Sequence, residues 1–328
     1  MGAHRKLDEV NQGRMEPGAA STIQKPVLKR FRAPQLREGK GFVVRRAIGG
    51  GNLSEVETDP FLLLDELPRV EYLEGEHPGA PMHPRHGILA FCYIKEGEYS
   101  FSSSVQMAGT LTAGDCQWAN AGSGMKMEEK CPGGPLHGFQ CFVNLPKALK
   151  SKAASVRIAR EKIVRCNDLV TARLLAGECV GFVDHQGDLD GAPLGKGAPV
   201  RVQANFIHPG GPQHEMHVLD FVAAPGGQFE HVLPESMTTA IVYIYKGSFA
   251  IGPQSEKASA GDACLLWDRG SSVYFCNTGD EEGGVVLVAG TPVRETTQRA
   301  GPIVVNTRKE LKAVMIALQN DTFGKPGR

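Results

Sequence analysis

The sequence predicts an all-β chain made of two stacked antiparallel β-barrels with a C-terminal α-helix. Three observations carry that reading. The 328 residues are too many for one small core and suit roughly two domains of about 100–200 residues each. The 40 Gly and 21 Pro imply many tight turns, as short strands require. The chain also repeats itself weakly: AFCYIKEGEYSFSSS then LTAGDCQW resembles AIVYIYKGSFAIGP then ASAGDACLLW about 150 residues later, matching Gly97 to Gly247 and Asp115 to Asp262. Each copy holds a strand, a Gly turn, a second strand, an Ala-Gly-Asp turn and a third strand, the rhythm of a small antiparallel barrel.

Along the chain, residues 1–26 mix Gly, Pro, Ser, Gln and charge without periodic apolar residues, so they read as a flexible tail. Dense short apolar runs follow at 42–44, 61–67, 88–94 and 139–145, which read as strands between Gly and Pro turns. The polar stretch 147–154 is the natural connector, dividing a first domain at 27–150 from a second at 151–328. The Gly-rich segment 184–198 reads as a loop. Near the end, Leu311, Val314, Met315 and Leu318 recur at helical steps behind Thr307 and Glu310, a capping-box spacing, so an amphipathic helix with an apolar stripe to bury is expected.

The net charge is zero, yet residues 1–46 hold 11 Lys plus Arg against 4 Asp plus Glu. A solvated tail and entry strand explain this local excess. No aromatic residues interleave it, so direct nucleic-acid binding is not expected. The eight cysteines form no CxxC pair, and a reducing compartment fits them. Lys6 stands where a myristoylation motif needs Ser or Thr, Asp8 and Glu9 argue against a transit peptide, and no apolar run is long enough to span a membrane. The cytoplasm is the expected location. GAPLGKGAP around Lys196 lacks the spacing and the Ser or Thr of a phosphate loop, and neither a dinucleotide fingerprint nor a nucleophile elbow occurs.

Five blocks in order, DPFLLLDEL at 59–67, HPRHG at 83–87, AGDCQWANAGSG at 113–124, HGFQCFVNLP at 137–146 and AGTPVRETTQRAGPIVVNT at 289–307, resemble the pirin family of double-barrel cupins over roughly residues 28–324. The resemblance implies two cupin (jelly-roll) barrels face to face, with one metal, usually iron, in the N-terminal barrel. It also implies roles as nuclear transcription cofactors or as quercetinase-type dioxygenases, so the nucleus is allowed beside the cytoplasm. The family's metal motif reads H-P-H-R-G on one strand and H-x-E on another, supplying three imidazoles and a carboxylate. The matching quartet here is His83, Arg85, Met127 and Glu129, so two of four ligands are replaced.

Side chains two apart on a strand share a face, which pairs 83 with 85 and 127 with 129 and turns His86 the other way. Arginine has no lone pair to give a metal, and a thioether suits Cu(I) better than Fe(II). A bulge could bring His86 round as a substitute ligand. Without one, Arg85 is free to pair with Glu129 across the lumen.

Other residues have plainer readings. Met107, Trp118, Met125 and His137 are candidate cavity residues, His137 as a base, with core packing or a structural hydrogen bond as the alternative. Gln117 precedes Trp118 without a sharper role. In the HEMH run, His214, Glu215 and His217 read as a turn or strand entry, while Glu230 and His231 read as surface residues. Cys131 and Cys141 carry no mark of a reactive thiol.

The reading that follows is a non-enzymatic regulatory protein with a degenerate metal site, binding a small molecule or a protein, with no cofactor. The alternative is an iron-dependent quercetin 2,3-dioxygenase-like enzyme, with His83, Glu129 and a recruited His86 holding Fe or another divalent metal.

Overall fold

A computed structural model describes residues 22–182, 199–206, 208–211 and 214–324. The expected loop at 184–198 and most of the expected tail lie outside the described residues. Every strand ladder among them is antiparallel, and the helices are Glu55–Thr58 and Arg308–Gln319, with a 3-10 turn at Lys147–Leu149.

The first barrel is built on a sheet running Ser155–Arg160, Asp115–Asn120, Ile88–Ser103, Gly134–Asn144, Phe61–Tyr72, Phe42–Ile48 and Gln35–Glu38. Facing it, Met125–Lys130 pairs with both Ala80–Arg85 and the far half of the long strand Ile88–Ser103. The second barrel sets a seven-stranded sheet against a smaller one, in which Gln228–Val232 pairs with Ser272–Asn277.

The repeat seen in the sequence is geometric. Gly114 N and Gly261 N donate to the carbonyls of Ile94 and Ile244 at 2.8 and 2.7 Å. Asp115 accepts from Thr112 N at 2.9 Å, as Asp262 does from Ser259 N at 2.9 Å. Gly97 and Gly247 both take positive φ, 85° and 78°, and a Cβ at Gly97 would stand 1.6 Å from the Pro135 carbonyl oxygen. Only glycine fits such a turn.

Strands cross the division at residue 150 in both directions. Val27–Arg32 pairs with Asp262–Leu266 of the second barrel, whereas Ser155–Arg160 pairs with Asp115–Asn120 of the first. Residues 22–26, read in the sequence as the end of a flexible tail, lie along the second barrel instead. Lys25 N donates to Ser272 O at 2.8 Å, Glu230 accepts from Thr22 and Gln24, and Lys25 is buried. Burial requires this segment's backbone to find partners, and the second barrel supplies them.

Three apolar cores result. One fills each barrel, and the third, including Phe61, Phe91, Trp118 and Phe139 from the first half with Ile241, Tyr243 and Val288 from the second, joins them. The chain end returns to the first barrel: Val304 N donates to His86 O at 2.9 Å, and Phe323 packs on Gly124. The C-terminal helix carries the expected capping box, Thr307 with Glu310. Its stripe is covered only in part, since no helix residue is fully buried and Met315 stays 41% exposed.

Candidate functional site

Antiparallel pairing of Ala80–Arg85 with Met125–Lys130 sets His83 opposite Met127 and Arg85 opposite Met125, with an irregularity between Ala80 and His83. Arg85 and Glu129 are each only 3% exposed. Arg85 Nη2 donates to Glu129 Oε2 at 2.6 Å, Nη1 approaches Met127 Sδ at 3.2 Å, and the Cζ atom lies 5.3 Å over the Phe142 ring. Arg85 and Glu129 thus form an ion pair, with the thioether as a weak third partner.

His83 completes the group. Its Nδ1 lies 3.0 Å from the Pro81 carbonyl oxygen, which can only accept, so Nδ1 carries the ring proton. Nε2 therefore holds the lone pair, and Arg85 Nε donates into it at 3.3 Å. Burial first, and then the Arg85 cation, hold His83 below the usual histidine range. Glu129 Oε1, in contrast, is buried with no hydrogen-bond partner among the described residues.

His86 does not join them. Its Nδ1 is 3.2 Å from Val304 O, on the far side of the strand, and its ring lies against Phe323 at 6.4 Å. The strand irregularity precedes His83, so it leaves the relative facing of residues 85 and 86 unchanged. In this structure His86 faces away from His83, Arg85 and Glu129.

A cavity of about 430 Å³ opens beside the group, lined by His83, Arg85 and Glu129 and by residues the sequence reading missed: Arg46, Asp65, Gln140 and Phe142. Arg46 grips Asp65 by a fork of 2.8 and 2.7 Å, while burial pushes the Asp65 carboxyl up to about 6 against that pull. Strand register puts Arg46, Asp65, Gln140, Cys92 and Gln117 in one row across the sheet. The signal available in the sequence was Asp65 inside the apolar run FLLLDEL.

Both half-chains match known families. Residues 41–143 match the family model described as Pirin, and residues 218–324 match the Pirin C-terminal cupin domain. The chain belongs to the pirin family. A Pirin-like protein of Solanum lycopersicum is 29% identical over 307 residues, 92% of each chain. Pirin of Homo sapiens is 29% identical over 314 residues, 94% of this chain and 95% of that one. The fold is shared with a solved Quercetin 2,3-dioxygenase from Acinetobacter baumannii, with a TM-score of 0.77 at 21% identity over 92% of this chain and 99% of that one.

In this pirin-family chain the other cavity candidates lie elsewhere. Met107 is exposed beside a turn made by Gln106 at positive φ, and Met125 is wholly buried in the first-barrel core. Trp118 stacks on Phe206 at 3.6 Å in the core between the barrels. His137 Nε2 meets Glu66 Oε1 at 3.2 Å, beside Tyr245, and so serves the barrel interface, not the cavity. Each is near the motif in sequence, but its strand face or turn turns it away.

The second barrel corrects one further expectation. His217 stands at a strand entry, as one of its two readings had it, but His231 is no surface residue. They sit on Met216–Ala223 and Gln228–Val232, are 2% and 3% exposed, and meet Nδ1 to Nε2 at 2.9 Å. Burial depresses them to about 4 and about 3. Among the described residues, no group of three or more His, Cys, Asp or Glu is arranged to hold a metal ion.

Proposed function

We propose that this pirin-family bicupin works through its first barrel as a binding protein rather than as an iron enzyme, taking a small molecule into the cavity beside Arg85 and Glu129. The position of Arg85 supports this reading. Its guanidinium touches His83, Met127 and Glu129 at 3.3, 3.2 and 2.6 Å, where an ion shared by those three side chains would have to sit. A divalent ion there would meet a fixed cation, a soft thioether and an imidazole whose lone pair is already engaged. These residues do not fit iron.

The same geometry describes the ligand. Glu129 Oε1 needs a donor, which a hydroxyl or amino group supplies, since a buried acceptor left unpaired costs about 1–3 kcal/mol. Phe142, Leu63 and Met82 give that molecule an apolar wall.

The test is metal content by mass spectrometry on protein purified without chelator, beside an Arg85→His, Met127→His variant prepared identically. Empty wild type and an iron-filled variant support the proposal. About one iron per chain in wild type, with dioxygen consumed when quercetin is added, overturns it. The second reading, a dioxygenase for an aromatic diol, has the free Glu129 oxygen on its side but requires Arg85 to leave the site.

A further inference from the structure

A larger cavity than the one at the ion pair lies between the two barrels. It measures about 910 Å³ and takes its walls from Leu62 and Asn144 of the first barrel, Trp267 and Asp268 of the second, and the crossing segments around Val56 and Glu295. We propose that this groove docks a peptide segment carrying a basic side chain next to an apolar one.

Three observations carry it. The first is apolar surface facing solvent: Val56 is 89% exposed, Leu28 47% and Trp267 42%, all three lining one groove. Tryptophan in such a position is the residue type that most often anchors a partner. The second is Asn144. It is 1% exposed, lines the groove, and its Oδ1 has no hydrogen-bond partner among the described residues. A buried acceptor of this kind calls for a donor from outside.

The third is charge. The groove lining holds five carboxylates, Glu55, Glu57, Asp59, Asp268 and Glu295, against the single cation Arg294. Arg299 answers Glu55 and Lys29 answers Glu57, while Asp59, Asp268 and Glu295 form no ion pair among the described residues. The buried Lys150 acts on Asp59 and Glu295, and Lys25 on Asp268, from behind the wall, but Lys150 Nζ makes no hydrogen bond to either. Asp59 Oδ2 already accepts from Arg294 N at 2.6 Å, and Glu295 Oε2 from Lys147 N and Asn306 Nδ2 at 2.8 and 2.9 Å, so among the described residues the Asp268 carboxylate and the other oxygens of Asp59 and Glu295 are what a donor can reach. An ammonium or guanidinium group supplies several N–H donors at once, and an adjacent leucine or similar side chain covers Trp267 and Val56. This site is separate from the first-barrel cavity, and the proposal stands whether or not that cavity binds a small molecule.

The experiment uses the full chain and a fluorescein-labelled octapeptide, acetyl-GSLKLKGS-amide, with acetyl-GSLELEGS-amide as the control. Binding is read by anisotropy at low and high salt. Trp267 is the exposed one of two tryptophans, Trp118 being 2% exposed, so quenching or shift of the exposed emission locates the peptide. The expected result is saturable binding of the lysine peptide with Kd below about 1 mM, at least about tenfold weaker for the glutamate peptide and weakened by salt. Trp267→Ala and Asp268→Lys, both at exposed positions, should each weaken it about tenfold while leaving the circular dichroism spectrum unchanged. No binding at about 1 mM, equal binding of both peptides, or indifference to both substitutions overturns the proposal.

Discussion

Replacing Arg85 by Met tests whether the ion pair holds the first barrel together. Both charges are 3% exposed, so the pair belongs with buried salt bridges and not with the surface pairs that are worth little. With charge centres about 4 Å apart and an effective dielectric constant of about 20, the attraction is about 4 kcal/mol. Arg85→Met removes that attraction and strands a buried carboxylate whose Oε1 already has no partner, so the loss should be about 3–5 kcal/mol. Glu129→Met strands the cation instead, although Arg85 keeps His83 and Met127, and a smaller loss is expected. The double variant should lose less than Arg85→Met alone, because two apolar side chains can fill the space without a stranded charge. The assay is urea unfolding followed by far-ultraviolet circular dichroism at neutral pH, closed as a double-mutant cycle. Single losses each below about 1 kcal/mol that simply add in the double variant would refute the reasoning.

Two more outcomes follow from buried groups away from the cavity. Asp220, fully buried between the barrels, accepts from Lys95 Nζ at 2.5 Å, Tyr245 Oη at 2.7 Å and Tyr93 Oη at 3.4 Å; Asp220→Ala should cost about 3–5 kcal/mol in urea unfolding, and a loss under about 1 kcal/mol would show that the cluster is not cohesive. His217 and His231 are held neutral, with folded values of about 4 and about 3 below the unfolded 6.5, so the unfolded chain binds protons first and stability falls as pH drops below 6.5. Between pH 7 and pH 5 the pair should lose about 2–4 kcal/mol, and His217→Gln, His231→Leu should flatten that slope; an unchanged slope counts against the burial argument.

The alternation of side chains along a strand made part of the site legible in advance. It put 83 with 85 and 127 with 129 and turned residue 86 away, while the resemblance to the family's metal motif set the two strands against each other. Alternation says which residues share a face, however, and not what lies beyond that face. Trp118 and His137 were therefore read as cavity residues, although their faces look toward the other barrel. Arg46, Asp65 and Gln140 were missed because only strand register, a long-range property, brings them into one row. The fold was clearer, since the repeated Ala-Gly-Asp turns and Gly97 with Gly247 encode their geometry locally. The strand Val27–Arg32 lacked such a local signal, because its partner is set by tertiary pairing.

That exchanged strand has a consequence for how the protein is made. A ribosome releases Arg32 230 residues before Asp262, the residue it pairs with in the finished sheet. At about 5–20 residues per second the wait is roughly 10–50 s, during which the first barrel can close around its own later strands while this one has no partner. An unpaired edge is an invitation to aggregate, and charges along it are the usual protection. Lys29, Arg30 and Arg32 supply that protection within six residues. When Asp262 arrives, Arg30 and Arg32 settle against it at 3.5 and 3.4 Å, so the residues that guard the nascent strand also mark where it docks.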